Sequence, residues 1–96
     1  MRIEILPEAK ADLDDGYWFY DRQNLGLGEY FLSSVTSDIR SLQLFGGIHP
    51  RYLGKFRMLA TRFPYSVFYE IDRDVVKVFA VLDDRRDPAW ISERLS

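Results

Sequence analysis

Apolar and polar positions recur along this chain at two different periods, and the switches between them mark out its elements. Residues 2–6, Arg-Ile-Glu-Ile-Leu, alternate and then stop at Pro7. This predicts a short strand with Ile3 and Ile5 turned inward, at a sheet edge. From Glu8 to about Gln23 the spacing lengthens to three or four, with Ala9, Leu13, Tyr17 and Tyr20 on one stripe of a helix. Pro7 suits the start of that helix, and Glu8 and Asp12 favour its positive end. Trp18 and Phe19 widen the stripe and are read as core, the alternative being a groove for a partner's helix or strand. Leu25-Gly26-Leu27-Gly28 breaks the pattern. A second helix is predicted from about Gly28 to Leu44, with Phe31, Val35, Ile39 and Leu42 on its stripe, so the two form an antiparallel helical hairpin.

Past the loop Gly46-Gly47-Ile48-His49-Pro50, in which His49 reads as a surface residue, period two takes over. A strand at about Leu53–Thr61 sets Phe56, Met58 and Ala60 on one face and Lys55, Arg57 and Thr61 on the other. Phe63-Pro64 turns the chain. Tyr65, Val67, Tyr69 and Ile71 then alternate against Ser66, Phe68 and Glu70. Asp72-Arg73-Asp74 is a hairpin turn, and Val75–Leu82, apolar except at Lys77, reads as a strand covered on both faces. Asp87-Pro88 starts a short terminal helix, with Asp as cap, Pro in the first turn, and Trp90 and Ile91 as anchors. The order β-α-α-β-β-β-α predicts an α+β fold in one domain, residues 1–96. Its helical hairpin packs on one face of a mainly antiparallel sheet and leaves the concave face open.

Composition narrows the chemistry. Apolar residues make up 47% of the chain, which favours a packed globule over disorder. Without cysteine there is no disulfide, thiol nucleophile or thiolate metal site, and one histidine cannot form a histidine metal cluster. No cofactor or metal is expected. The N-terminus lacks signal-peptide character and no apolar run is long enough to span a bilayer, so the expected location is the cytoplasm, away from membranes. The net charge of −2 hides an asymmetry: residues 1–50 carry four basic and eight acidic side chains, and residues 51–96 carry nine and seven. Arg51, Lys55, Arg57 and Arg62 fall together without an acid among them. They form either a candidate grip for phosphates or an acidic partner, or a solvated strand face. Asp83, Asp84, Arg85, Arg86 and Asp87 then crowd the end of the last strand.

Two longer runs, Arg-Phe-Pro-Tyr-x-Val-Phe-Tyr at Arg62–Tyr69 and Val-Leu-x-x-Arg-Arg-Asp-Pro at Val81–Pro88, stand in this order behind two helices. With Ala-x-x-Asp-Leu at Ala9–Leu13 and the glycine break at Leu25–Gly28, they resemble the RelE/ParE superfamily of bacterial toxins over nearly the whole chain. The resemblance implies the toxin of a type II toxin–antitoxin system, neutralised by a cognate antitoxin. Its members act as ribosome-dependent mRNA endoribonucleases or as poisons of DNA gyrase, and some have no demonstrated target.

Each reading has its residues. In the ribonuclease branch a 2′-hydroxyl attacks the adjacent phosphate, which needs a base, an acid at the leaving oxygen and cations around the phosphate, without a metal. By resemblance Lys55 and Arg57 look like the phosphate-gripping pair, Arg62 with Arg85 or Arg86 would complete a cationic pocket, and Asp83 takes the place of the base. Two departures weaken this. Asp83 stands where many relatives carry histidine, and an aspartate near pKa 3.9, lowered further by arginines, is a poor base. Ser66 stands where ribonuclease members often carry a catalytic arginine. After Arg86 no tyrosine or histidine follows. The alternatives are a gyrase-poisoning toxin and a catalytically inactive member that binds only its antitoxin. Arg85, Arg86 and Asp87 could equally form ion pairs that hold the terminal helix.

Overall fold

In the computed structural model, which describes residues 1–96, the strands are β1 (Arg2–Ile5), β2 (Arg51–Tyr52), β3 (Lys55–Leu59), β4 (Tyr65–Asp72) and β5 (Val75–Asp83). They form one sheet in the order β1-β5-β4-β3-β2. β1 pairs in parallel with β5 and the other pairings are antiparallel. The helices are α1 (Pro7–Asp21), α2 (Leu27–Arg40), the single turn α3 (Leu42–Phe45) and α4 (Pro88–Leu95). The expected α+β order is therefore present, with β1 on an edge.

The α1–α2 hairpin packs on one sheet face. Ala9, Leu13 and Tyr20 of α1 and Phe31, Val35 and Ile39 of α2 meet Tyr65, Val67 and Tyr69 of β4 and Val76, Val78 and Val81 of β5. The helices approach closely because two glycines let them. A methyl group on Gly16 would lie 2.5 Å from the Phe31 ring, and one on Gly28 would lie 2.5 Å from the Tyr17 carbonyl. The Asp21 carboxylate joins the hairpin by accepting the backbone N–H groups of Gly26 at 3.0 Å and Gly28 at 3.3 Å, at the positive end of α2.

Four local expectations are corrected. The long second helix breaks at Ser41, whose hydroxyl donates to the Asp38 carbonyl at 2.6 Å and competes with the helical ladder. The strand expected at 53–61 is a hairpin, β2–β3, turned by Leu53 and Gly54, both at positive φ. Trp18 and Phe19 are 50% and 42% exposed rather than core, since α1 has only one buried face. Lastly, the sheet face opposite the hairpin is not open. α4 lies on it, with Ile91 and Leu95 against Phe68, Ala80 and Leu82 and with Tyr52 and Trp90 beside them.

One irregularity decides which side chains reach which face. Phe68 pairs with Ala80 but Tyr69 pairs with Val78, so Phe79 is an extra residue in β5. Such a bulge inverts the alternation of the bulged strand. Even-numbered Val76 and Val78 face the hairpin before it, and odd-numbered Val81 does so after it, while Ala80 and Leu82 turn to α4. The strand is thus covered on both faces, as its continuous apolar run predicts.

Candidate functional site

The basic strand and the charged strand end do meet, but as a closed network beneath α4. Arg57 of β3 points to the α4 face, where Tyr52 flanks its guanidinium, 5.1 Å from the ring centroid. Its Nε donates to Ser66 Oγ at 2.8 Å and its Nη2 to Asp84 Oδ1 at 3.0 Å. The hydroxyl of Ser66, a fully buried residue of the central strand, donates to the same Asp84 oxygen at 2.6 Å. Each member bonds to the other two, so the Ser66 hydroxyl is buried at little cost. What remains above them is a cavity of about 110 Å³, bordered by Arg57, Asp84, Arg86 and Pro88.

Arg86 is exposed and stacks on Trp90, with its guanidinium carbon 3.7 Å from the ring centroid. It is the one other candidate cation beside Arg57. Lys55 shares Arg57's strand face but lies further along it, its ammonium 4.4 Å from the centroid of Phe79. Arg62 is exposed in the β3–β4 connection and makes no ion pair within the chain.

Asp83 is on the other side of the sheet. It pairs in register with Tyr65, whose neighbours are the hairpin aromatics, while Asp84, the next residue, turns toward Ser66. Arg85 clamps the Asp83 carboxylate with a 2.7 Å ion pair, its Nε and its backbone N–H, and also donates to the Tyr20 hydroxyl at 3.3 Å. Burial alone would raise the Asp83 pKa. The side-chain and backbone donors of Arg85, then the charges of Arg85 and Arg86, outweigh it and hold the carboxyl below its usual range. Asp83 is a stable anion here, a poor acceptor for a substrate's proton, and it lies on the opposite sheet face from Lys55 and Arg57. Tyr20 and Tyr65 are shifted the other way, upward, mainly by burial, so both stay protonated donors.

A second ion pair escaped the sequence reading. Asp12, 8% exposed, receives both Nη groups of Arg94 at 2.7 and 2.8 Å and the Val81 N–H at 3.0 Å. That carboxylate ties α1, β5 and α4 together, at a point where β5 has run past the end of β1 and its edge needs a partner. One signal did exist: Asp12 lies on the stripe of Ala9, Leu13, Gly16 and Tyr20, where a charge survives only if paired. Asp87 caps α4 as expected, accepting the Ala89 N–H at 2.9 Å. His49 is half-buried rather than on the surface, its Nδ1 hydrogen-bonded to the hydroxyl of buried Tyr69, which also accepts the Gly47 N–H at 2.9 Å. No group of side chains in the structure is arranged to hold a metal ion, and no helix is long and apolar enough to cross a membrane.

Residues 3–88 match the family described as the ParE toxin of type II toxin-antitoxin system, parDE. Among solved structures, the chromosomal ParDE toxin–antitoxin system from P. aeruginosa contains a similar fold. The TM-score is 0.76 at 19% identity, over 84% of this chain and 92% of that one. No curated protein matches the chain in sequence. With a glycine-tight helical hairpin on a five-stranded, mainly antiparallel sheet and a family match across nearly the whole chain, the protein belongs to the ParE toxin family, within the RelE/ParE superfamily.

Proposed function

We propose that this chain is a cytoplasmic toxin, neutralised by a cognate antitoxin, that acts by binding DNA gyrase rather than by cleaving mRNA. One observation carries the choice between these activities. Arg57, the candidate phosphate grip, gives its Nη2 to Asp84 and its Nε to Ser66, the residue that by resemblance stands where ribonuclease members often carry an arginine. A phosphate approaching Arg57 would meet a guanidinium whose charge Asp84 already offsets, and the adjacent carboxylate would repel it. The other parts fit the same reading. Asp83 is held ionised on the opposite face, Lys55 and Arg62 do not line the cavity that Arg57 and Arg86 border, and α4 lies on the sheet face that an mRNA would need. A toxin that works by binding needs no general base, only a stable surface.

Pulse-labelling tests this in cells expressing the chain without its partner. DNA synthesis should fall first, with protein synthesis following. An immediate stop of protein synthesis while DNA synthesis continues would overturn the proposal and return Lys55, Arg57, Arg85 and Arg86 to a catalytic reading.

A further inference from the structure

The groove between α1 and α4 is distinct from the Arg57 cavity and adjoins it at Arg86, which borders both. It has a volume of about 480 Å³ and runs along the last residues of β5, past the end of β1. The Val81 N–H turns into it and is already held by Asp12. The strand edge is therefore capped there, and an occupant must be read by side chains rather than by strand pairing. Its walls are aromatic: the exposed Trp18 and Phe19 on α1, and Trp90 on α4.

Two arginines and a tyrosine hydroxyl in the groove lack polar partners. Arg22, exposed at the end of α1, and Arg86, lying on Trp90, make no ion pair within the chain. Tyr65 is 6% exposed and lines the groove, yet its hydroxyl is held by no side chain or backbone group. The hydroxyl itself keeps contact with solvent in the groove and is free to donate to an acceptor placed there. Arg94 cancels Asp12 and Arg85 cancels Asp83, which leaves two free guanidinium groups against the single free carboxylate of Asp15.

We propose that this groove receives an acidic segment of the antitoxin, one carboxylate meeting Arg22, Arg86 and the Tyr65 hydroxyl while a neighbouring apolar side chain packs on the aromatic walls. The proposal rests on the antitoxin reading above and adds the place and chemistry of contact. Desolvated arginines beside aromatic walls are the usual anchors of a protein interface.

The test is titration calorimetry of the purified chain against the protein encoded by the neighbouring reading frame. Arg22→Glu should weaken binding about ten-fold or more, and Tyr65→Phe several-fold, while Arg2→Glu at the far sheet edge leaves it unchanged. Reversing one acidic residue of the partner to lysine should restore affinity to Arg22→Glu alone. Circular dichroism and melting establish that each variant is folded. If folded Arg22→Glu and Tyr65→Phe both bind like the parent, the groove assignment is overturned and the antitoxin reading stands. If the parent itself binds no such protein, the antitoxin reading fails and takes the groove proposal with it.

Discussion

An arginine on a strand face can meet a phosphate or a carboxylate, but not both with the same N–H groups. Arg57 has made the second choice, and the account turns on that. Its partners form a unit, so their removal should be non-additive. Asp84→Ala leaves Arg57 Nη2 and the Ser66 O–H without their acceptor and should cost about 1–3 kcal/mol. Arg57→Ala should cost a similar amount, and the double variant should cost less than the sum of the two. Urea unfolding of the three proteins checks this, and strict additivity would mean that the contacts are incidental. His49 is the other informative residue. Burial lowers its pKa, so the folded state prefers the neutral ring beside Tyr69. The unfolded chain then binds the proton more readily, and the stability is present above the ordinary histidine pKa and lost as pH falls through the interval below it. Melting temperature should drop between roughly pH 7 and pH 5, and His49→Gln should flatten that part of the profile. Because this is the chain's single histidine, the comparison isolates one group.

At the scale of elements, the hairpin and the terminal helix are held by different means. The hairpin depends on close approach. Gly16→Ala would drive a methyl group into the Phe31 ring and should destabilise the fold by about 1–3 kcal/mol. The terminal helix depends on one buried ion pair. Asp12→Ala would strand Arg94 and free the Val81 N–H, a loss of about 3 kcal/mol, and α4 amides should then exchange faster with deuterium than those of the sheet. Protection of α4 equal to that in the parent would mean that apolar contacts alone hold it.

Most of this architecture was legible in the sequence. The stripe Phe31, Val35, Ile39, Leu42 is buried at every position, and the apolar run of β5 is covered on both faces because the bulge at Phe79 divides its side chains between two cores. The misses have physical causes. Leu53 takes a left-handed conformation without being glycine, so the β2–β3 turn carried a weak signal. Aromatic type suggested core for Trp18 and Phe19, but burial follows the helix face. Asp12 and Arg94 are 82 residues apart, a pairing that no local period reveals. The candidate site was legible only as a set of residue types. Arg57 was found, but its engagement by Asp84, and the opposite facing of Asp83 and Asp84, follow from strand register.

For the molecule as a whole, the basic excess of residues 51–96 suggested a phosphate-binding surface. Folding disperses it: Arg51 pairs with Glu70, Arg57 with Asp84, Lys77 with Asp72 and Arg94 with Asp12. What remains free is scattered, unlike the continuous basic footprint of a nucleic-acid binder. Such a surface fits recognition of proteins better than a grip on mRNA, and the most direct measurement sets those targets side by side. Purified chain is incubated in one reaction with gyrase and supercoiled DNA, and in another with translating ribosomes and a defined mRNA. The account predicts gyrase-dependent double-strand breaks after protein digestion, together with intact mRNA. Cleaved mRNA with unbroken DNA would contradict it.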